Sequence, residues 1–394
     1  MAMEKKYIIV INIGSESKKY AFYSGDKQIF FAHFEKENKQ HIVRIESEVD
    51  KKHFNITGND YKDAFGIALE QALTFGISID KHNVTGIGIR IVAPGTFFTE
   101  HRMINDMYLK KLKDAQKIAP LHINQTLVEI DYFRKFFPEI AIFGISDSEL
   151  HKDLPCRARL YAIPYGDAKR LDIYRFGYHG ISVQSIIREL EDSDRVERRI
   201  IVCHLGGGSS ITALLDGKSI DTSMGFTPDE GVPMATRVGT IDVAAVEYLT
   251  KNLNHDKALD YFSLKSGLLG VSGQSSDIRQ LLEFEANGDR KSQDALALYV
   301  YHIQKYIGAF SAALGGIDSI IFTGTVGQRS AIVRSRILSG FEWLGVNIDK
   351  NKNNNLIDEV REIMVDSSRV KLLIIPTREM NEIAFLTSKL INNQ

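Results

Sequence analysis

Two stretches of this chain share one design. Tyr7–Ile13 is an unbroken apolar run that ends at Gly14-Ser15; Tyr20–Tyr23 continues as a second extended stretch, and Ser24-Gly25-Asp26-Lys27 closes it as a turn. From Arg199 the order repeats. Ile200–His204 is the apolar run, Leu205-Gly206-Gly207-Gly208-Ser209-Ser210 the break, Ile211–Leu215 the second strand and Asp216-Gly217-Lys218 the turn. Short apolar runs bounded by Gly and Ser read as buried strands. Such a recurrence points to an internal duplication, one copy opening each of two domains; the alternative is a chance likeness between two hairpins. The 394 residues are too many for one ordinary core and suit two domains.

A third strand, Ile317–Thr323, runs into Gly324-Thr325-Val326-Gly327, which reads as a third Gly-rich turn. Before it, Leu296, Val300, Ile303, Tyr306, Ile307 and Phe310 recur at helical spacing, predicting a helix over Ser292–Leu314 that Gly315-Gly316 ends. Val370–Ile375 and Glu379–Leu390 read as strand and helix, and the polar run Asn351–Asn355 as a surface loop. Lys plus Arg number 49 and Asp plus Glu 50, a net charge of −1. That balance gives no general attraction for nucleic acid or an anionic membrane, so any anion site must be local. Two cysteines, Cys156 and Cys203, make a disulfide framework implausible and fit a reduced compartment. No apolar stretch approaches a membrane span and no signal-peptide pattern is present, so a cytoplasmic setting is expected.

Backbone amides of a Gly-rich turn converge on phosphate because no side chain blocks the approach. Three such turns after buried strands point to a nucleotide cleft between two domains. None fits the dinucleotide fingerprint or the phosphate-loop motif. Transfer of a phosphoryl group to a carboxylate is mostly a matter of positioning and positive charge, and arginine suits it because its planar fork grips oxyanions in pairs. Arg90, at the end of the strand-like Gly86–Val92, and Arg237 are the candidates. An exposed ion-pair role is the plain alternative for each. Lone histidines such as His122 and His179 are more often structural, but the apolar, Gly-rich setting Arg175-Phe176-Gly177-Tyr178-His179-Gly180 suits an imidazole buried beside a ligand.

Taken in order, these segments resemble the acetate kinase family, within the wider group of sugar-kinase, chaperone and actin-like ATPases. The resemblance rests on Asn12-Ile13-Gly14-Ser15-Glu16-Ser17, Ala119-Pro120-Leu121-His122, Arg175–Gly180, His204–Ser210, Asp221-Thr222-Ser223-Met224-Gly225-Phe226-Thr227-Pro228, Ser272–Arg279 and Ile375-Pro376-Thr377-Arg378-Glu379. It implies an α/β fold of two duplicated actin-like (ribonuclease H-like) domains with a cleft between them. The N-terminal domain would take 1–150 plus 376–394, and the C-terminal domain, with the nucleotide site, 151–375. It implies reversible transfer of the ATP γ-phosphate to acetate, giving acetyl phosphate and ADP, with Mg²⁺ (or Mn²⁺), in a homodimer. By position, Asn12 and Glu379 match the metal-associated residues. Arg90, Arg237, His179 and Asp147 match the catalytic ones, Asp147 only when two extra residues are allowed before it. Val92, Leu121, Tyr178 and Pro228, with Arg90, match the acetate site. Lys19, His204, Leu205, Gly206, Gly207, Gly208, Asp277, Ile278, Arg279, Gly324, Thr325, Val326, Gly327 and Gln328 match the nucleotide site.

The chain departs from the family pattern at several of these places. Gly207 stands for Asn, Glu16 for Ser, Tyr178 for Phe and Thr240 for Asp; Ile89, Ala93 and Pro94 stand for His, His and Gly around Arg90. The third turn has Thr325 where the family has Gly, and Arg329 where it has Asn. A β-branched residue at the closest approach to adenosine predicts weaker ATP binding with relaxed base preference. Propionate or another short acid as acceptor, pyrophosphate as donor, and a non-catalytic nucleotide-binding regulator are the rival readings. The two arginines with His179 favour the enzyme, because a pure binder has no use for a second phosphate-side cluster.

Overall fold

The computed structural model describes residues 5–14, 17–37, 40–253, 255–354 and 359–393; Ser15, Glu16 and Asn355 lie outside them. The chain forms two compact units, one of Met1–Glu149 with Arg378–Gln394, the other of Leu150–Thr377. No helix among the described residues is long and apolar enough to cross a membrane.

In the first unit the strands are β1 (Tyr7–Ile13), β2 (Ser17–Ser24), β3 (Lys27–Glu37), β4 (Gln40–Ser47), β5 (Lys51–Ile56), β6 (Val84–Ile91), β7 (Arg102–Met103) and β8 (Ile142–Ser146). They form one sheet in the order β5-β4-β3-β2-β1-β6-β8-β7. In the second unit β9 (Arg199–Leu205), β10 (Ser209–Leu215), β11 (Lys218–Thr222), β12 (Ser319–Thr323), β13 (Arg361–Glu362) and β14 (Lys371–Ile374) form a sheet in the order β11-β10-β9-β12-β14-β13. The two orders superimpose strand for strand. β1 pairs antiparallel with β2 and parallel with β6, and β6 parallel with β8; β9 pairs antiparallel with β10 and parallel with β12, and β12 parallel with β14. A short antiparallel strand closes each edge, β7 on β8 and β13 on β14. The duplication expected from two hairpins therefore extends over six strands, and the hairpin β4–β5 is an addition to the first copy.

Alternation along each opening strand decides which residues meet which layer. In β9, Ile201, Cys203 and Leu205 join the cluster packed by the helix Arg290–Leu314, while Ile200 and Val202 join Val183, Ile186 and Leu190 of the helix Gly180–Asp192. His204 falls on the latter face. In β6, Gly86, Gly88 and Arg90 share a face. A Cβ on Gly86 would lie 2.5 Å from Ile391 Cδ1, and one on Gly88 would collide with Thr387. Their glycines let the helix Glu379–Asn392 lie directly on the strand, which brings its first residue level with Arg90.

Two expectations are corrected. Gly324-Thr325-Val326-Gly327 is not a turn but the head of a short helix, Gly324–Arg329. The polar run at 351–354 is not a loop but belongs to the helix Lys350–Asn354, because Asn353 is buried. Its amide oxygen accepts from Arg334 Nε at 2.7 Å and its backbone carbonyl from Arg334 Nη2 at 2.7 Å. Arg334, wholly buried, also donates from Nη1 to the carbonyls of Gly327 (2.8 Å) and Gln328 (2.7 Å). Burial lowers its pKa to about 10, and four carbonyl oxygens serve where a carboxylate would be usual.

Candidate active-site residues

The first unit gathers Asn12, Arg90, Asp147 and Glu379 into one bonded cluster. Asn12 is the sixth residue of β1, Arg90 comes near the end of β6, Asp147 follows β8, and Glu379 opens its helix. The Asp147 amide donates to the Ile91 carbonyl at 3.0 Å, which fixes the carboxylate beside the strand end. Arg90 Nη2 donates to Asp147 Oδ2 at 2.7 Å and Nη1 to Asn12 Oδ1 at 3.3 Å. Asn12 Nδ2 donates to Glu379 Oε2 at 2.7 Å, and that oxygen stands 3.9 Å from Arg90 Nη1. Burial alone would lower the Arg90 pKa; Asp147 and then Glu379 outweigh it and hold the guanidinium above its ordinary value. Arg90 Nε is buried with no hydrogen-bond partner among the described residues.

Arg90 is shared between two carboxylates, Asp147 at 2.7 Å and Glu379 at 3.9 Å. Glu379 and Asn12 offer hard oxygens of the kind a divalent cation takes. Among the described residues no group of three or more His, Cys, Asp or Glu is placed to hold an ion. The pair therefore fits a metal that brings most of its other oxygens with it, from phosphate and water. Lys19 pairs with Asn12 across β1–β2 and with His33 across β2–β3. Val92 is buried just past β6, and Leu121 is half-buried in the first turn of the helix Pro120–Phe136.

The second unit builds a different corner. His179 precedes the helix Gly180–Asp192 with φ 59° and ψ 19°, a left-handed conformation that costs a non-glycine residue about 1–3 kcal/mol and is typical of functional positions. Its Nδ1 lies 3.0 Å from Ser210 Oγ, and His204 Nδ1 lies 2.7 Å from Ser182 Oγ. The two rings pack with centroids 4.1 Å apart. Gly208 sits against this pair: a Cβ there would stand 3.2 Å from His179 Nε2 and 3.5 Å from Arg237 Nη1. Arg237 is anchored by Asp229 (Nε to Oδ1, 3.4 Å) and by the Pro228 carbonyl (Nη1, 3.3 Å). Ser263 Oγ steadies Asp229 Oδ2 at 2.8 Å.

The Gly-rich segments of this unit meet. A Cβ on Gly206 would lie 3.8 Å from the Thr325 amide nitrogen, and Gly324, at φ 77°, has the Leu205 carbonyl only 2.6 Å from where a Cβ would be. Gly324 is thus required by both its conformation and its neighbour. Leu205 is fully buried at the end of β9, Val326 is half-buried and packed on the same core, Gln328 is half-buried and Thr325 exposed. Gly207 faces open space. Asp277, Ile278 and Arg279 form a separate group at the start of the helix Ile278–Ala286. Asp277 caps that helix and holds Arg279 Nη2 at 2.6 Å, while Ile278 is buried. The Tyr178 hydroxyl donates to the Phe226 carbonyl at 2.7 Å.

Sequence reasoning missed Ser182, Ser210, Asp229 and the ring of Tyr161, Arg175 and Glu230 around Gly225. The one available signal was the acidic pair Asp229-Glu230, standing just after Pro228 and shortly before Arg237.

The profile of the acetokinase family matches residues 7–385. An acetate kinase of Bacillus cytotoxicus is 36% identical over 382 residues, covering 94% of this chain and 96% of the relative. One of Pseudothermotoga lettingae is 36% identical over 396 residues, covering 98% of each. Among solved structures, Porphyromonas gingivalis acetate kinase superimposes with a TM-score of 0.84 at 28% identity, over 98% of this chain and 100% of that one. A propionate kinase of Francisella tularensis gives 0.87 at 30% identity, over 98% and 99%. The family is ATP-dependent and generally needs a divalent metal. The chain belongs to the acetokinase family and is an enzyme of the acetate kinase type, a phosphotransferase with a carboxyl group as acceptor.

Proposed function

We propose that this chain transfers the γ-phosphoryl group of ATP to acetate, reversibly, giving acetyl phosphate and ADP, with Mg²⁺ as the divalent cation. The observation that carries the reading is that His179 Nε2 and Arg237 Nη1 both come close to Gly208, 3.2 and 3.5 Å from where its Cβ would stand. Two preorganised donors then serve the equatorial oxygens of a moving phosphoryl group. A Ser210 hydroxyl donating to His179 Nδ1 keeps the imidazole proton on Nε2, the tautomer that donates to an oxyanion. Acetate is ionised at neutral pH and needs no general base. Arg90 orients it, and Asp147 acts by holding Arg90 rather than by taking a proton.

When bound with the nucleotide, the divalent cation neutralises phosphate charge; Glu379 and Asn12 are the residues that would hold it. Gly206, Gly207, Gly208 and Gly324–Gln328 supply the backbone that faces the nucleotide phosphates, with Lys19 as a further phosphate-side cation. Asp277, Ile278 and Arg279 flank the nucleoside. Val92 and Leu121 of the first unit, and Tyr178 and Pro228 of the second, are the residues proposed to bind the acid. A homodimer in the cytoplasm is the proposed working form, with Cys156 and Cys203, both free, reduced there. Propionate is the second acceptor to test, because a neighbour of this fold is a propionate kinase.

Hydroxylamine trapping of the acyl phosphate, with acetate or propionate and with ATP, GTP or pyrophosphate, tests all of this at once. Acetyl hydroxamate with ATP and Mg²⁺ is the expected product. Product from pyrophosphate alone would overturn the donor assignment, and none from any pairing would leave a binding protein of this fold.

A further inference from the structure

We propose that the hydroxyls of Tyr161 and Tyr178 are positioning groups for Arg237, acting through the peptide of Phe226. The inference rests on the role proposed for Arg237 in phosphoryl transfer. Phe226 is held at both poles of its backbone by phenols: its N–H donates to Tyr161 Oη at 2.8 Å, and its carbonyl accepts from Tyr178 Oη at 2.7 Å. Tyr161 Oη in turn donates to the Glu230 carboxylate, which Arg175 Nη2 holds at 2.8 Å. Arg175 Nη1 also donates to the carbonyls of Ser223 and Met224, each at 3.3 Å. A Cβ on Gly225 would collide with both Glu230 and Tyr161, so the ring closes on a residue with no side chain.

The residues just after Phe226 form the platform of Arg237. Two positions on, the Pro228 carbonyl accepts from Arg237 Nη1, and the next residue, Asp229, pairs with Arg237 Nε. The segment Phe226–Asp229 is therefore a short strut, fixed by the two phenols at one end and carrying the guanidinium at the other. Tyr178 is buried and adjoins His179 in sequence, so one stretch of backbone carries His179 and anchors the support of Arg237. Burial, and then the charge of Glu230, raise the Tyr161 pKa, so the phenol keeps its proton at any working pH. The related family carries Phe where this chain has Tyr178, so the bond to the Phe226 carbonyl is a property of this chain.

The test is a double-mutant cycle read in kcat and in KM for acetate and for ATP. Tyr178→Phe keeps the ring and removes one neutral hydrogen bond, so kcat should fall roughly 3- to 10-fold while KM for ATP changes less than about 2-fold. In an Arg237→Ala background the same change should leave the residual rate as it is, because the group being positioned is gone. Tyr161→Phe, which reaches the same peptide from the other side, should behave alike and keeps the question decidable if Tyr178→Phe does not fold. An unchanged kcat for both single variants, or the same fold-loss with and without Arg237, would overturn the inference. Near-normal turnover of Arg237→Ala would instead overturn the reading of Arg237 on which it rests.

Discussion

The same corner of the same sheet is built twice in this molecule and given two chemistries. β1 and β9 are both seven residues long, share Ile-Ile-Val at their second to fourth positions, and carry one polar residue at the sixth, Asn12 or His204. In each unit the head of a helix reaches that residue: Glu379 Oε2 accepts from Asn12 Nδ2, and Ser182 Oγ bonds His204 Nδ1. On the neighbouring parallel strand the first unit has Arg90, whereas the second has Thr323, paired with His204. The first corner is a tight ionic cluster in which one guanidinium meets two carboxylates. The second is made of imidazoles and hydroxyls, with an arginine brought in on a loop. The scaffold sets where polar groups can stand at the ends of parallel strands; the choice of carboxylate or hydroxyl there decides whether the corner suits a metal or an oxyanion.

That contrast makes the two corners fail differently. Arg90→Ala should lower turnover about 100- to 1,000-fold and also destabilise the protein by about 3–5 kcal/mol, because it removes the guanidinium paired with the buried Asp147 carboxylate. His179→Ala should lower turnover by a similar factor with a smaller loss of stability, since it removes an imidazole without stripping a buried carboxylate of its ion-pair partner. Turnover and thermal denaturation measured on both variants check this; equal destabilisation would erase the distinction.

The first unit should also be the acid-sensitive one. His33 in β3 is pressed by burial, then by Lys19 and Arg44, down to a pKa of about 3. Glu35, 3.8 Å from its ring, does not offset this because Arg44 already engages that carboxylate. The unfolded chain takes up a proton at His33 near pH 6.5 and the folded chain does not until about 3. The stability is therefore present above 6.5 and is lost as pH falls through that window, by up to about 1.4 kcal/mol per pH unit. His33→Gln should flatten the denaturation profile between those limits; an unchanged profile would contradict the assignment.

In the second unit, Asn353→Ala removes the amide that accepts from Arg334 Nε and should cost about 1–3 kcal/mol. Because Arg334 also holds the carbonyls of Gly327 and Gln328, KM for ATP should rise several-fold while KM for acetate stays put. Thr325→Gly has the smallest expected effect. It should lower KM for ATP a few-fold, at about 1 kcal/mol of stability for a glycine within a helix, measured by steady-state kinetics and denaturation. A raised KM would show that the exposed Thr325 side chain helps hold the nucleotide.

Much of this was legible in the sequence, for definite reasons. The apolar runs at Tyr7 and Ile200 mark the central strands because a strand buried on both faces tolerates little else. The spacing of Leu296 to Phe310 gives the long helix. Gly324 reads correctly as a special residue but wrongly as a turn, since a glycine with positive φ can as well open a helix. The run at 351–354 misleads because composition cannot reveal that Asn353 satisfies a buried arginine. Arg237 and His179 stand out by residue type, setting and resemblance, whereas their partners Asp229 and Ser210 do not, because hydrogen bonds between distant segments leave no local pattern.

The division of labour between the corners is tested most directly by titrating Mg²⁺ in the acyl phosphate assay at saturating ATP and acetate. Wild type, Glu379→Gln and His179→Ala should be compared. The account predicts that Glu379→Gln raises the half-saturating Mg²⁺ concentration about 10-fold or more, and that His179→Ala lowers turnover with that concentration unchanged. Equal Mg²⁺ dependence in all three, or a shift in His179→Ala alone, would contradict it.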